Sequence, residues 1–95
     1  MAPEGAPQRL GRRLERVEAK RRGGRVQPAS GALEGRPGDI LTYETLIEHK
    51  ATTARSYRLT VGLWRKIESD AALVGREPLL VINLDGLRLE VRRAP

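Results

Sequence analysis

The sequence predicts an α/β domain in which a small mixed β-sheet is flanked by helices. Apolar residues recur at four-residue steps over residues 57–75, which is the spacing of a helix with one buried face. The apolar run at 79–82 is typical of an interior strand, and Asp85-Gly86 after it is a strong hairpin signal. A chain of 95 residues without internal repeats has the length of one small domain, expected over residues 9–95.

The first half of the chain is predicted to hold one helix and three strands. Leu10, Leu14 and Val17 keep helical spacing among charged residues, so only a narrow stripe of this helix is expected to be buried. The pair Gly23-Gly24 is expected to end the helix. The predicted elements are a loose lead-in at 1–8, the helix at 8–22, a short strand at 25–27, a glycine-rich loop at 29–38 and strands at 39–43 and 45–50.

The second half is predicted to hold a connection at 51–56, the long helix and two strands. Gly75 is expected to end the helix, and Trp64 on its apolar stripe is expected to pack in the core. In the last strand, apolar and charged residues alternate from Leu87 to Arg92, which predicts one buried and one solvent-exposed face. The apolar stripe of the long helix consists of Leu59, Leu63, Ile67 and Ala71.

The net charge of +6 is concentrated on both sides of one acidic stretch. Residues 1–30 carry +5 and residues 51–95 carry +3, whereas residues 31–50 carry −2. Basic flanks favour binding of a polyanion, and arginine, whose planar fork matches phosphate oxygens, far outnumbers lysine. A solvated charged surface is the alternative interpretation.

The composition excludes several classes of site. The chain has no cysteine, so disulfides, thiolate zinc sites and cysteine nucleophiles cannot form. No apolar run approaches the ~20 residues needed to span a bilayer and no signal peptide is apparent, so an intracellular, cytoplasmic protein without a membrane partner is expected. The glycine-rich loop lacks the Gly-Lys-Ser/Thr ending of a nucleotide-binding P-loop.

The segment Glu48-His49-Lys50 is the most informative feature of the chain. Side chains alternate along a strand, so Glu48 and Lys50 are expected side by side at one edge of the sheet, with His49 on the opposite face. If this strand pairs antiparallel with the preceding one, Asp39 comes close to Glu48. Two carboxylates and a lysine around one point are what a divalent-metal phosphodiester hydrolase requires.

A longer ordered set of residues accompanies this segment: Glu15, Ser30-Gly31-Ala32, Gly38-Asp39, Glu48-His49-Lys50, Ser56, Trp64, Ile67 and Pro78. This set resembles compact nucleases of the PD-(D/E)XK superfamily, and within it archaeal-type Holliday junction resolvases, including their phage-borne relatives. The likeness covers about residues 9–84. Gly38 stands where a proline is expected before the first aspartate, a change that the family tolerates.

The resemblance implies a restriction-endonuclease-like fold and a homodimer that cuts four-way DNA junctions with Mg²⁺ or Mn²⁺ in paired, symmetric nicks. Asp39 and Glu48 would be metal ligands, and the main-chain carbonyl of His49 would complete the metal shell. Lys50 would be the catalytic lysine. The protein would then act in DNA recombination and repair, in the cytoplasm of a bacterial host if it is encoded by a phage.

Two further catalytic residues are implied by the same resemblance. Glu15, on the first helix, would be an additional acidic residue near the site and a candidate metal ligand, with Glu18 one turn later as the alternative. Ser30 would be the loop serine near the scissile phosphate. Candidates for nucleic-acid contacts are Arg12, Arg13, Arg16, Arg25, Ser30, Thr52 and Arg55.

Each site residue also has a purely structural interpretation. Asp39 could be a turn residue after a glycine, and Ser30 could cap its own loop. Glu48 and Lys50 could be a solvent-exposed ion pair, worth less than ~1 kcal/mol. Leu46, which shares their face and is expected to be buried, favours a cleft over open solvent.

Three other functions fit part of the pattern. One is another nuclease of the same superfamily, such as a nicking or flap-cutting repair enzyme. A second is a non-catalytic DNA-binding module, for which the basic flanks would suffice. A third is a ribosome-associated RNA-binding protein, which leaves the carboxylates unexplained and has only three aromatic residues for base stacking.

Overall fold

A five-stranded mixed sheet with one helix on either face organises the chain. The computed structural model describes residues 6–26 and 39–95. The strands lie in the order β1-β2-β3-β4-β5, with β3 and β4 parallel and the other neighbours antiparallel. The elements are α1 (Ala6–Arg22), β1 (Arg25–Val26), β2 (Ile40–Leu41), β3 (Thr45–Thr52), α2 (Val61–Leu73), β4 (Glu77–Leu84) and β5 (Leu87–Val91).

Two apolar layers hold the helices to the sheet. Successive residues of β4 point to opposite faces, so Val81 packs in the α1 layer and Leu80 in the α2 layer. This confirms the prediction of an interior strand buried on both sides. The α1 layer contains Ala19, Val26, Ile40, Ile47, Leu79 and Val81. The α2 layer contains Tyr57, Leu63, Trp64, Ile67, Leu80, Ile82, Leu84 and Val91.

The first helix begins earlier than predicted and buries a different stripe. It starts at Ala6, and Pro7 is tolerated there because a first-turn residue has no intrahelical bond to lose. Gly23, with φ of 65°, ends it as expected. Val17 is 51% exposed, so its predicted place in the buried stripe was wrong, and Glu18 and the adjacent alanine are buried instead.

The second helix is shorter than its apolar pattern predicted. Thr60 caps its first turn, since the threonine side chain accepts a hydrogen bond from the Leu63 amide at 3.1 Å. Residues 57–60 therefore lie outside the helix, and Leu59 is 40% exposed rather than part of the buried stripe. Trp64 packs in the α2 layer as predicted. No helix in the described ranges is long and apolar enough to cross a lipid bilayer.

The strands β2 and β3 differ from their predicted bounds. Thr42 ends β2 early because its hydroxyl accepts the Thr45 amide at 2.8 Å and closes a tight turn. β3 runs on to Thr52, whose partner on β4 is Leu84. β3 is the middle strand in the sheet order, but its pairing with β2 ends at Ile47. Among the described strands, Glu48 therefore has a partner on the β4 side only. The predicted loop at 29–38, with Ser30, lies outside the described residues, as does the last residue of the strand predicted at 25–27.

The last hairpin has the predicted turn but not the predicted exposure. Asp85 and Gly86 have φ of 45° and 84°, as the two-residue turn requires. Leu87 and Leu89 are 58% and 38% exposed, whereas Arg88 is half-buried. The expected buried leucine face was wrong because α2 packs mainly on β3 and β4.

Candidate functional site

The antiparallel pairing of β2 with β3 places Asp39 beside the Glu48 segment. Its amide donates to the Ile47 carbonyl at 2.9 Å, and its Oδ2 accepts the His49 amide at 2.6 Å. The aspartate is buried, with 7% exposure, although it lies just outside β2. Two backbone contacts therefore fix Asp39 next to Glu48, as the predicted hairpin requires.

Glu48 and Lys50 share the α2 face of β3, as the alternation predicted. The Lys50 Nζ lies 3.2 Å from Glu48 Oε1, and the side chains are 42% and 18% exposed. Burial raises the pKa of Glu48, the charge of Asp39 raises it further, and Lys50 only partly opposes this. Burial lowers the pKa of Lys50, but Glu48 more than compensates, so the pKa is raised overall and the ammonium stays charged. Leu46, which is buried on the same face, confirms that this pair lies at a partly desolvated position.

Glu15 is the third carboxylate of this cluster. Burial raises the pKa of Glu15 to about 7, and the charges of Asp39 and Glu48 add to this effect. The neighbouring Arg12 and Arg16 oppose the shift without cancelling it. Carboxylates from α1, from the start of β2 and from the middle of β3 therefore influence one another electrostatically, although α1 covers the face of the sheet opposite to the Glu48 side chain.

Glu18, the alternative to Glu15, belongs to a different group of side chains. It is 2% exposed, and Arg88 on β5 donates to it from Nε and Nη2, both at 2.6 Å. Arg22 donates to it at 3.2 Å and also pairs with Glu90. Burial raises the pKa of Glu18, but the hydrogen bonds from both arginines outweigh it and lower the pKa overall. Glu18 thus ties α1 to β5, and Glu15 is the residue near the other carboxylates.

The His49 side chain points away from the carboxylate cluster, as predicted. Its Nε2 accepts a hydrogen bond from the Asn83 amide at 2.8 Å, which places the proton of the neutral ring on Nδ1. Burial lowers the pKa of His49, so the ring is neutral near pH 7. His49 contributes to the site through its main chain, whose amide holds Asp39.

Three residues near the cluster were not singled out from the sequence. Tyr57 packs in the α2 layer, and its pKa is raised by burial while the charge of Lys50 opposes the shift. Lys66 on α2 pairs with Asp70 at 2.8 Å, and its charge lowers the pKa of Glu48. The i,i+4 spacing of Lys66 and Asp70 was visible in the sequence, but their position over β3 depends on how α2 crosses the sheet.

The carboxylates suit a divalent cation in chemistry and in charge. Oxygen ligands are those that Mg²⁺ and Mn²⁺ prefer, and the mutual repulsion that raises the pKa values of Glu15 and Glu48 would be relieved by a cation. Across residues 6–26 and 39–95, however, no three acidic or histidine side chains are close enough to hold a metal. The arrangement is an electrostatic cluster in which Lys50 neutralises one carboxylate.

The candidate phosphate-binding residues are spread over the domain. Arg12 and Arg16 are exposed beside Glu15, and Arg13 is exposed on the same helix. The Arg55 side chain is 94% exposed, and its Nε lies 4.0 Å from Asp85. The remaining candidates within the described residues are Arg25 and Thr52.

Arg25 and Thr52 lie at opposite ends of the sheet. Arg25 is opposite Leu41, which is opposite Leu46 near the start of β3, whereas Thr52 ends that strand. Six residues of extended strand separate Leu46 from Thr52 by about 20 Å. A DNA backbone would have to run over about this distance to contact both.

Comparisons of the chain with models of protein families, with curated proteins and with solved structures find no match.

Proposed function

We propose that this protein is a metal-dependent, structure-specific DNA endonuclease with a restriction-endonuclease-like fold, which resolves four-way junctions. The observation that carries the proposal is the grouping of Glu15, Asp39 and Glu48 around the lysine-bearing segment of β3. Mutually repelling carboxylates reduce stability, and a functional requirement would explain why this chain places them together. A solvent-exposed ion pair, the structural alternative, does not account for the partial burial of Glu48.

The acidic residues would hold Mg²⁺ or Mn²⁺. Asp39 and Glu48 are the proposed ligands, together with the main-chain carbonyl of His49. Glu15 would add negative charge nearby, because no three acidic side chains of the described residues are close enough to hold one ion. When bound, the cation would lower the pKa of a water molecule and neutralise charge on the leaving oxygen. Glu15 supplies this charge only when it has lost its proton, which its pKa of about 7 permits at neutral pH.

Lys50 would act on the attacking water or on the phosphate. Its pKa is raised by Glu48, so the ammonium remains protonated and can donate hydrogen bonds to an oxyanion. Its side chain is 42% exposed, which leaves it accessible to a substrate. Binding of a cation by Glu48 would release Lys50 from the ion pair and free it for this role.

The basic surface would bring DNA to the cluster. Arg12 and Arg16 flank Glu15, so a phosphate drawn to them lies close to the carboxylates. Arg13 and Arg55 extend the positive surface, and Ser30 is the proposed contact to the scissile phosphate. A homodimer would present two such clusters to a junction, which accounts for paired nicks.

The substitution Asp39→Asn tests this proposal. Asparagine keeps an oxygen that can accept the His49 amide but loses the negative charge that a cation needs. We expect Mg²⁺-dependent cleavage of a synthetic four-way junction to fall by about 100-fold or more, with binding to the junction retained. Gel assays of cleavage and gel-shift titrations measure the two quantities.

The matched control is Asp85→Asn, in the exposed turn between β4 and β5. Cleavage by this variant is expected to equal that of the wild type. Wild-type cleavage rates for Asp39→Asn would refute the assignment. A wild-type protein that shows no Mg²⁺-dependent nicking at any pH would support the non-catalytic DNA-binding alternative, and comparison of four-way, flap and linear substrates distinguishes a resolvase from other nucleases.

A further inference from the structure

The outer strand β5 forms one edge of the sheet and carries apolar side chains on one face. β5 is the last strand in the sheet order, and no other strand of the described residues pairs with its outer side. Natural proteins commonly protect such edges with proline, lysine or a bulge. Residues 87–91 contain neither proline nor lysine, and their register with β4 is unbroken from Leu84↔Leu87 to Leu80↔Val91.

The hairpin determines which backbone groups face outward. In the two-residue turn after Leu84, the amide of Leu87 bonds back to the Leu84 carbonyl. Inward and outward groups alternate along an antiparallel strand, so Leu89 also bonds towards β4. The amides and carbonyls of Arg88 and Glu90 therefore point to the open side.

We propose that a second copy of this chain pairs antiparallel with β5 along this edge, with the twofold axis at Leu89. In this register Leu89 is opposite Leu89 of the partner, and Leu87 is opposite the partner's Val91. Arg88 is opposite the partner's Glu90, so opposite charges meet on the other face. Arg88 and Glu90 are the residues whose backbone groups face outward, so they can form the hydrogen-bonded pairs.

Other registers are less favourable. A twofold axis at Glu90 would place the two glutamates opposite each other and Arg88 opposite the partner's Arg92. An axis at Arg88 would place two arginines together. Like charges directly opposite are destabilising, and an odd shift would place leucine opposite a charged residue. The sequence of β5 is thus self-complementary around one residue.

The pairing would give a ten-stranded sheet with both carboxylate clusters on the same side of it. The two β3 strands would be five interstrand spacings apart, or about 24 Å. The interface specifies the dimer that the proposed function requires. It is argued from β5 alone, however, and does not depend on nuclease activity.

The mass of the full chain in solution tests the interface. By light scattering with size-exclusion chromatography, we expect the wild type to have twice the monomer mass of 10.6 kDa. Leu89→Lys places two ammonium groups opposite each other at the axis, so this variant is expected to be a monomer. Leu89 is already 38% exposed, which lets the fold accept lysine, and circular dichroism should be unchanged. The matched control is Leu73→Lys on α2, where the leucine is 77% exposed; it should remain a dimer.

Cross-linking provides a second measurement. The chain has no cysteine, so Leu89→Cys creates a single thiol. Residues opposite each other in a non-hydrogen-bonded pair have Cα atoms about 4.5 Å apart, within the range for a disulfide. Oxidation is expected to link Leu89→Cys rapidly into a covalent dimer and to leave Leu73→Cys largely unlinked.

A monomeric wild type, or a dimer that Leu89→Lys leaves intact, would overturn the interface. A dimer lost only with Leu73→Lys would overturn it in favour of α2. The test is separate from that of the nuclease, because Asp39→Asn should remain a dimer. A dimer without Mg²⁺-dependent cleavage would refute the proposed function and leave the interface standing.

Discussion

At the scale of single residues, the carboxyl group of Glu15 connects stability with the proposed chemistry. Its pKa of about 7 exceeds its ordinary value of 4.5 because of burial and two neighbouring carboxylates. Between these pH values the folded protein holds a proton that the unfolded chain has released. With respect to this group, the free energy of unfolding is therefore highest below pH 4.5 and falls as the pH rises towards 7.

Replacement of this residue should stabilise the protein at high pH. Glu15→Gln removes the cost of ionising the group, so we expect the free energy of unfolding at pH 8 to rise on the order of 1 kcal/mol, after allowance for solvent screening. At pH 4 the difference should vanish because the wild-type group is then protonated. Urea unfolding at both pH values measures it, and an equal gain at pH 4 would contradict the assigned pKa.

The sequence predicts some residue positions and not others. Glu48 and Lys50 were placed opposite His49 because the two-residue period of a strand depends only on local geometry. Glu15 and Glu18 could not be distinguished, since residues three apart lie on the same side of a helix. The partner that separates them, Arg88, is 70 residues from Glu18 along the chain.

At the scale of secondary-structure elements, the Glu18–Arg88 contact fastens α1 to β5. The glutamate is almost fully buried and accepts two hydrogen bonds from one guanidinium group. Glu90, which Arg88 and Arg22 also contact, has its pKa lowered to about 2 by hydrogen bonds from these arginines. Because the pKa values of Glu18 and Glu90 are lowered, their ionised carboxylates stabilise the fold above pH 4.5. This contribution is lost as the pH falls towards 2 and the groups are protonated.

Removal of the buried charge should be costly. Glu18→Gln removes the buried anionic partner of Arg88 and leaves it only the more exposed Glu90. We expect the free energy of unfolding at pH 7 to fall by about 2–3 kcal/mol. The control is Glu68→Gln, which removes an exposed pair with Arg93 and should cost less than about 1 kcal/mol. Equal losses in urea unfolding of the two variants would contradict the structural role of Glu18.

The position of a strand in the sheet and the exposure of its side chains depend on long-range pairing, so they could not be predicted from the local sequence. The Asp85-Gly86 hairpin was predicted because its turn residues determine it locally. The interior position of β3 depends on β4, which follows a helix, and sheet order is not encoded within β3 itself. The exposure of Leu87 and Leu89 likewise depends on where α2 lies across the sheet.

At the scale of the whole molecule, the charge distribution governs how a nucleic acid would be bound. The net charge is +6, and exposed arginines on α1 lie beside the carboxylate cluster. Phosphate contacts release counterions, so affinity for DNA falls with salt, and each contact contributes about 0.9 to the slope of log affinity against log salt concentration.

The Asp39→Asn protein, which is expected to bind DNA without cleaving it, allows this slope to be measured. We expect added Arg16→Ala to lower the slope by about 1, because one phosphate contact is lost. Adding Arg93→Ala instead should leave the slope unchanged, since Arg93 pairs with Glu68. The values come from fluorescence anisotropy titrations at about 50–200 mM salt, a range over which such phosphate contacts change affinity strongly. Equal slopes for both variants would remove Arg16 from the DNA-binding surface.

His49 gives the domain a mechanical link between its two sides. Its main-chain amide donates a hydrogen bond to Asp39, and its ring accepts one from Asn83 on the neighbouring strand. A rotation of His49 would therefore disturb both its hydrogen bond to the Asp39 carboxylate and its hydrogen bond to Asn83. A substitution at Asn83, on the α1 face of the sheet, is thus a way to change the position of Asp39 without replacing any carboxylate of the cluster.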